Sequence, residues 1–215
     1  MPRMARLHAE GREPELLSIY RLSTRLTSCL GLGGALTLAF CAHPLLTTWT
    51  GDAAWAHEFW PVLSLYALGY GFWALGAFPY YLQYARGQLR WYLWGNVGLL
   101  CMQVPAVVWA AGHSGAVGAG MAWVVLSGLY LVVWGAVVHR RLSPGLHMPW
   151  LFRDVLGMNW PVLLGMFLIW TLGLHPQSRR ETFAYVALVG GFLMLSNLAW
   201  LAWSERALLQ QWRRR

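Results

Sequence analysis

Six continuous apolar runs dominate this sequence, and each is long enough to cross the hydrocarbon core of a bilayer. A membrane-spanning helix needs about 20 consecutive apolar residues. Because backbone groups in lipid must be hydrogen-bonded within their own segment, the runs predict α-helices. They lack the short alternating pattern of a transmembrane β-barrel, so the predicted fold class is an all-α integral membrane protein with six transmembrane helices. The runs are 26–49, 59–82, 91–111, 116–138, 155–174 and 183–203.

The composition excludes the main soluble classes of protein. Only 11% of the residues are charged and 58% are hydrophobic, whereas a soluble globular chain is about one quarter charged. So few charges cannot cover a soluble surface, which argues against a cytosolic enzyme, a nucleic-acid-binding module and a disordered segment. The 15 Trp and 9 Tyr residues are of the types that favour the membrane–water interface.

The basic residues predict how the helices are oriented. All 16 are arginines, and they lie between the apolar runs rather than along one face, so membrane topology explains them better than nucleic acid does. If the chain crosses the membrane six times, all of the arginines except Arg179 and Arg180 lie on the same side of the membrane. The positive-inside rule then predicts that both termini are cytoplasmic. Residues 1–25 form a cytoplasmic amphipathic lead-in, 26–203 a six-helix lobe, and 204–215 a basic cytoplasmic tail.

Glycine and other small residues predict the connections and the packing of the helices. Turns are expected at the outer ends of the helices, at Gly51-Asp52 and at 112–114. Small residues four positions apart allow two helix backbones to approach closely. Such pairs are Gly31 with Ala35, Ala67 with Gly71, Gly115 with Ala119, and Ala116 with Gly120.

Four arginines at the cytoplasmic mouths of the first three helices form a candidate binding site. They are Arg21, Arg25, Arg86 and Arg90. Topology and attraction to anionic headgroups would explain them. A pyrophosphate-binding rim is the alternative explanation, because guanidinium groups match phosphate oxygens with paired hydrogen bonds.

Polar side chains within the predicted helices are the second group of candidates. Asn96, Gln103 and Asn197 either hydrogen-bond between helices or line a polar cavity, and the sequence leaves both alternatives open. No catalytic residue, metal ligand or cofactor site is predicted. His57-Glu58 lacks the second histidine of a metalloprotease motif, and the scarcity of carboxylates inside the helices disfavours a proton relay or cation pump.

Several segments occur in a recognisable order along the chain. They are MPRMARLHAEGREPELLSIYRLSTRL at 1–26, LLTTWTGD at 45–52, PYYLQYARGQLRWYLWGN at 79–96, HSGAVGAGMAW at 113–123 and WLFRDVL at 150–156. In this order they resemble the C-terminal six-helix lobe of Wzx-like polysaccharide flippases, within the multidrug/oligosaccharidyl-lipid/polysaccharide exporter superfamily. The resemblance implies one half of a MATE-like transporter in the bacterial inner membrane.

The same resemblance implies a function in polysaccharide and lipopolysaccharide biosynthesis. The expected activity is translocation, without enzymatic chemistry, of an undecaprenyl-pyrophosphate-linked oligosaccharide. Members of this family have two six-helix lobes, so the implied partners are the lipid-linked oligosaccharide, membrane lipid, and an N-terminal lobe or a second copy of the chain. Three alternatives stay open: a lobe of a drug or ion-coupled exporter, a membrane enzyme acting on polyprenyl-linked sugars, and an inactive six-span fragment.

Overall fold

The computed structural model describes residues 2–174, 176 and 178–213, with side chains described as far as Arg206. Within these residues the regular structure is helical, as the sequence predicts. Three short π-helical turns, at Ser28–Leu32, Tyr130–Trp134 and Trp150–Leu156, continue or connect the α-helices. The α-helices are α1 (Pro2–Ala9), α2 (Glu13–Thr27), α3 (Gly33–Phe40), α4 (Ala42–Thr50), α5 (Ala53–Ala85), α6 (Arg90–Leu129), α7 (Gly135–Leu142), α8 (His147–Pro149), α9 (Trp160–Leu172) and α10 (Arg179–Arg213).

The first predicted span is a bent helix with a long extension. Helix α2 continues through a π-helical turn into α3, and α4 then departs at an angle of 66°. Pro44 lies in the first turn of α4, where its ring displaces the carbonyl group four residues earlier and removes one hydrogen bond. Helix α4 ends at Gly51, whose φ is +73°. Asp52 then caps α5 by accepting hydrogen bonds from two backbone N–H groups, which confirms the predicted turn.

Helix α6 is a hairpin of two antiparallel arms. Ser114 and Gly115 have non-helical backbone angles, with φ of +58° at the glycine. A Cβ atom on Gly95 would overlap the indole ring of Trp134, although a straight helix would separate these two residues by about 58 Å. The guanidinium group of Arg141 likewise lies 3.5 Å from the ring centroid of Trp91. The chain therefore reverses at 114–115.

Small residues bring α5 into close contact with its neighbours. Gly71 packs against Ala35 of the antiparallel helix α3, as the spacing of small residues predicts. On the other side, Gly120 of α6 packs against Leu65 of α5, and its arm runs parallel to α5 because Gly128 then meets Phe72. Helix α5 therefore lies between α3 and the second arm of α6.

The last two long helices pack on the opposite side of α3. Helices α9 and α10 run antiparallel, with Leu193 of α10 seated on Gly165 of α9. The side-chain amide of Asn197 lies against Gly33 of α3. The order of packing is thus α9 and α10, then α3, then α5, then the α6 hairpin.

By length and apolar composition, the described residues contain three helices that could each cross a membrane. They are Ala53–Ala85, Arg90–Leu142 and Arg179–Arg206. Two bent pairs, Glu13–Phe40 with Ala42–Thr50 and His147–Leu156 with Trp160–Leu172, raise the number to five. The difference from the six predicted spans comes from Arg90–Leu142, which is counted once although it contains the hairpin. The protein is therefore an all-α membrane-type protein with three to five candidate spanning helices.

Candidate functional site

The four arginines of the predicted rim lie at three separate places in the structure. Arg21 and Arg25, one turn apart on α2, both contact Asp154. Arg86, at the end of α5, turns instead toward the start of α2 and the end of α7. Arg90 is exposed at the start of α6. The structure therefore brings together Arg21 and Arg25 but does not join them to Arg86 or Arg90 in one cluster.

Arg21 and Arg25 belong to a buried ion network that joins three parts of the fold. Asp154, in the π-helical turn before α9, is completely buried and accepts from Arg21 Nε and Arg25 Nε, each at 2.6 Å. Arg25 Nη1 also donates to Glu205 Oε1 of α10 at 2.5 Å. Two guanidinium groups face two carboxylates, so the network is balanced in charge. A phosphate at this position would have to compete with both carboxylates.

Arg86 lies in a separate basic pocket of about 630 Å³. Its Nη2 donates to Glu13 Oε2 at 2.6 Å and to Ser143 Oγ at 3.1 Å, and its Nη1 donates to the backbone oxygen of Leu142. Its Nε is buried and has no hydrogen-bond partner among the described residues. Arg141, which is exposed, lines the same pocket. The sequence grouped Arg86 with Arg21, Arg25 and Arg90, whereas in the fold it shares a pocket with Arg141, whose guanidinium group stacks on Trp91.

The charge of this basic pocket depends on Glu13 and His8. Burial alone would raise the pKa of Glu13, but hydrogen bonds from His8 and Arg86 reverse the effect and hold that pKa below its usual value. The His8 Nδ1 and Glu13 Oε1 atoms lie 2.5 Å apart. Glu13 is thus ionised at neutral pH, and one carboxylate against the guanidinium groups of Arg86 and Arg141 leaves the pocket net positive.

The three polar candidates within the helices lie in different surroundings. Asn96 is half-buried, donates to the backbone oxygen of Tyr92 at 3.0 Å, and lines a small aromatic cavity of about 240 Å³. Gln103 is half-buried on the first arm of α6. Asn197 is completely buried and donates to Cys29 O at 3.0 Å and to Asn159 Oδ1 at 3.3 Å. Asn197 therefore links three helices.

The structure adds a polar cluster that sequence reasoning missed. Tyr20 and His139 are both buried, and the Tyr20 hydroxyl lies 2.7 Å from His139 Nε2. The Nδ1 atoms of His139 and His147 are 3.1 Å apart, so one ring must donate to the other. No local signal marks this cluster, because Tyr20 and His139 are 119 positions apart. Glu205, in contrast, could have been noticed as a rare acid at the end of an apolar run.

The arrangement is suited to binding an oxyanion. Guanidinium groups beside an accessible pocket offer charge-assisted hydrogen bonds to phosphate or carboxylate oxygens. Among the described residues there is no group of three or more His, Cys, Asp or Glu side chains that could hold a metal ion. Comparison of the chain with known protein families, with curated proteins and with solved structures gives no match.

Proposed function

We propose that the chain crosses the membrane six times, with both termini in the cytoplasm. The proposal is supported by the reversal at 114–115, which divides Arg90–Leu142 into two apolar arms, each about 20 residues long or more. The arginines also support it, because Arg25 and Arg86 lie at one end of the helices whereas Arg179 donates to Thr48 O at the other end. The positive-inside rule assigns the first of these ends to the cytoplasm.

Thiol labelling in intact cells tests this topology. The variant Glu58→Cys should react with a membrane-impermeant maleimide, whereas Gln88→Cys should react only after the cells are permeabilised. Both native positions are exposed. The native Cys29 and Cys41 are buried and Cys101 lies within the third predicted helix, so the background should be low. Labelling of Gln88→Cys in intact cells would contradict the proposed orientation.

We further propose that the chain is one lobe of a flippase for a lipid-linked oligosaccharide. The observation that best supports this function is the basic pocket around Arg86 and Arg141. In the proposed mechanism the pocket binds the pyrophosphate on the cytoplasmic side, and the glycan enters a cavity between this lobe and an N-terminal lobe or second copy. Rocking of the two lobes then exposes the cavity to the other side. No covalent bond changes.

A flippase is favoured over an ion-coupled drug exporter by the state of the buried carboxylates. Coupling to a cation needs an accessible carboxylate within the membrane region. Asp154 and Glu205 are buried, but both are ion-paired with Arg25. Because they are ion-paired, these two carboxylates bind a proton or a metal cation more weakly than unpaired acids would.

Substitution of Arg141 tests the proposed site without removing a buried ion pair. In proteoliposomes containing the complex isolated from its native membrane, Arg141→Gln should lower the rate of translocation of a fluorescent undecaprenyl-pyrophosphate-linked oligosaccharide. The loss should be on the order of tenfold, as expected when one charge-assisted hydrogen bond is removed. Arg140→Gln is the matched control, since Arg140 is the exposed neighbour outside the pocket.

Two results would contradict these proposals in distinguishable ways. Equal translocation by the Arg140→Gln and Arg141→Gln variants would reject the pyrophosphate site while leaving the flippase function standing. Absence of translocation by the wild-type complex would reject the flippase function itself and favour the exporter or inactive-lobe alternative.

A further inference from the structure

Two adjacent arginines lie at the end of the molecule where the sequence places no others. Arg179 and Arg180 begin α10, opposite the end that carries the other arginines among the residues whose side chains the structure describes. Positive charge is disfavoured on the translocated side of a membrane protein. A specific role would account for this pair.

The two arginines stand at one end of a groove in the described part of the molecule. The groove has a volume of about 950 Å³ and runs between α4 and α10. Leu45, Val186 and Ala187 line it, so its wall is apolar. It is open to the surface of the molecule, so a ligand can enter it from outside.

Aromatic side chains mark the polar boundary of this groove. Trp49 and Phe183 both line it and are both largely exposed, at 76% and 65%. A Trp ring such as that of Trp49 is typical of the depth at which lipid headgroups begin. The arginines lie at the same boundary as these rings.

The guanidinium group of Arg179 is held in position by the fold. Its Nε donates to the backbone oxygen of Thr48 at 3.0 Å, and its Nη1 and Cζ approach the left-handed turn at Gly51. A guanidinium group that uses Nε in this way keeps its Nη donors for another acceptor.

Nearby carboxylates already have structural functions. Asp52 accepts from the backbone N–H groups of Ala54 and Trp55 at 2.9 and 3.0 Å, as the cap of α5. Glu181 accepts from the backbone N–H of Ser178 at 3.3 Å, at the start of α10. These contacts hold the carboxylates at helix termini, which favours an external anion as the partner of the arginines.

We propose that the groove between α4 and α10 binds one anionic phospholipid. The acyl chains lie along Leu45, Val186 and Ala187, and the phosphodiester contacts Arg179 and Arg180. Charge complementarity and lateral access from the bilayer select a phospholipid with a net negative headgroup over a zwitterionic one. The assignment rests on the proposed membrane topology but not on the proposed flippase function.

Native mass spectrometry of the full chain in detergent tests the site. Phosphatidylglycerol should bind more tightly than phosphatidylethanolamine. The double variant Arg179→Gln/Arg180→Gln should bind phosphatidylglycerol about thirtyfold more weakly, as expected for two arginines near a membrane surface. Arg3→Gln/Arg6→Gln is the matched control, because it removes the same charge from exposed positions on α1 and should retain wild-type affinity.

A second variant separates the groove from the charges. Ala187→Trp should fill the groove and weaken phosphatidylglycerol binding while both arginines remain. Because Ala187 is exposed, thermal unfolding should be unchanged. The proposal would be overturned if the two arginine double variants bound phosphatidylglycerol equally well. It would also be overturned if undecaprenyl phosphate displaced phosphatidylglycerol while phosphatidylglycerol failed to displace undecaprenyl phosphate. Occupation of the groove by a second copy of the chain would overturn it as well.

Discussion

Replacing Asp154 with alanine is expected to lower the free energy of unfolding by about 3–5 kcal/mol. Asp154 is completely buried and accepts hydrogen bonds from both Arg21 and Arg25. Without it, the buried Arg25 keeps only Glu205, and Arg21 loses its partner within the network. The cost comes mainly from leaving buried positive charge without compensation.

Thermal unfolding of the purified protein in detergent measures this effect. The midpoint of Asp154→Ala should fall by on the order of 10 °C, and Asp154→Asn, which keeps the size but not the charge, should show most of the loss. Glu10→Ala is the control, since the ion pairs of Glu10 with Arg6 at 3.5 Å and with Arg12 at 3.0 Å both join exposed side chains. Such pairs contribute about 1 kcal/mol or less. Similar shifts for the Asp154→Ala and Glu10→Ala variants would show that the ion network does not stabilise the fold.

Replacing Gly118 with alanine is expected to destabilise the α6 hairpin by about 1–3 kcal/mol. A Cβ atom at this position would overlap the backbone carbonyl group of Ala110 on the opposite arm. Backbone in a helix cannot turn away as a flexible side chain can, so the two arms would have to separate.

Gly98, on the first arm of α6, provides a control with the opposite expected sign. A Cβ atom there meets no other atom within 4 Å, so Gly98→Ala should stabilise the protein by up to about 1 kcal/mol through helix propensity. Unfolding midpoints of the two variants, measured side by side, should therefore move in opposite directions. A midpoint for Gly118→Ala equal to or above that of Gly98→Ala would contradict the hairpin geometry.

Local sequence signals predicted a helical chain and the turn that follows the first predicted span. The turn at Gly51 follows from a residue type that tolerates positive φ and from the capping aspartate after it. The second outer turn was predicted at 112–114 and lies at 114–115, because Gly115 is the residue that adopts φ of +58°. Helix α9 begins at Trp160 rather than at the predicted Val155, since Pro161 belongs to a first helical turn, where its missing N–H is tolerated.

The candidate site was harder to predict because its contacts join distant parts of the chain. Arg25 meets Asp154 and Glu205 across 129 and 180 positions, and no spacing rule relates such residues. Positive charge near a predicted helix end made Arg86 a candidate, and the structure places it in a pocket with Arg141, a neighbour that the sequence did not indicate. Arg141 lies near Arg86 because of how α5 and α7 pack, and the sequence does not show this packing.

The separation of 180 positions between Arg25 and Glu205 also has a consequence for biosynthesis. At translation rates of about 5–20 residues per second, Glu205 emerges roughly 10–40 s after Arg25. Until then, the charge of Arg25 must be solvated or shared with Asp154 alone. The buried ion network can therefore close only after Glu205 has been synthesised, so a nascent chain stalled before Glu205 should present an incompletely packed helix assembly to quality-control proteases.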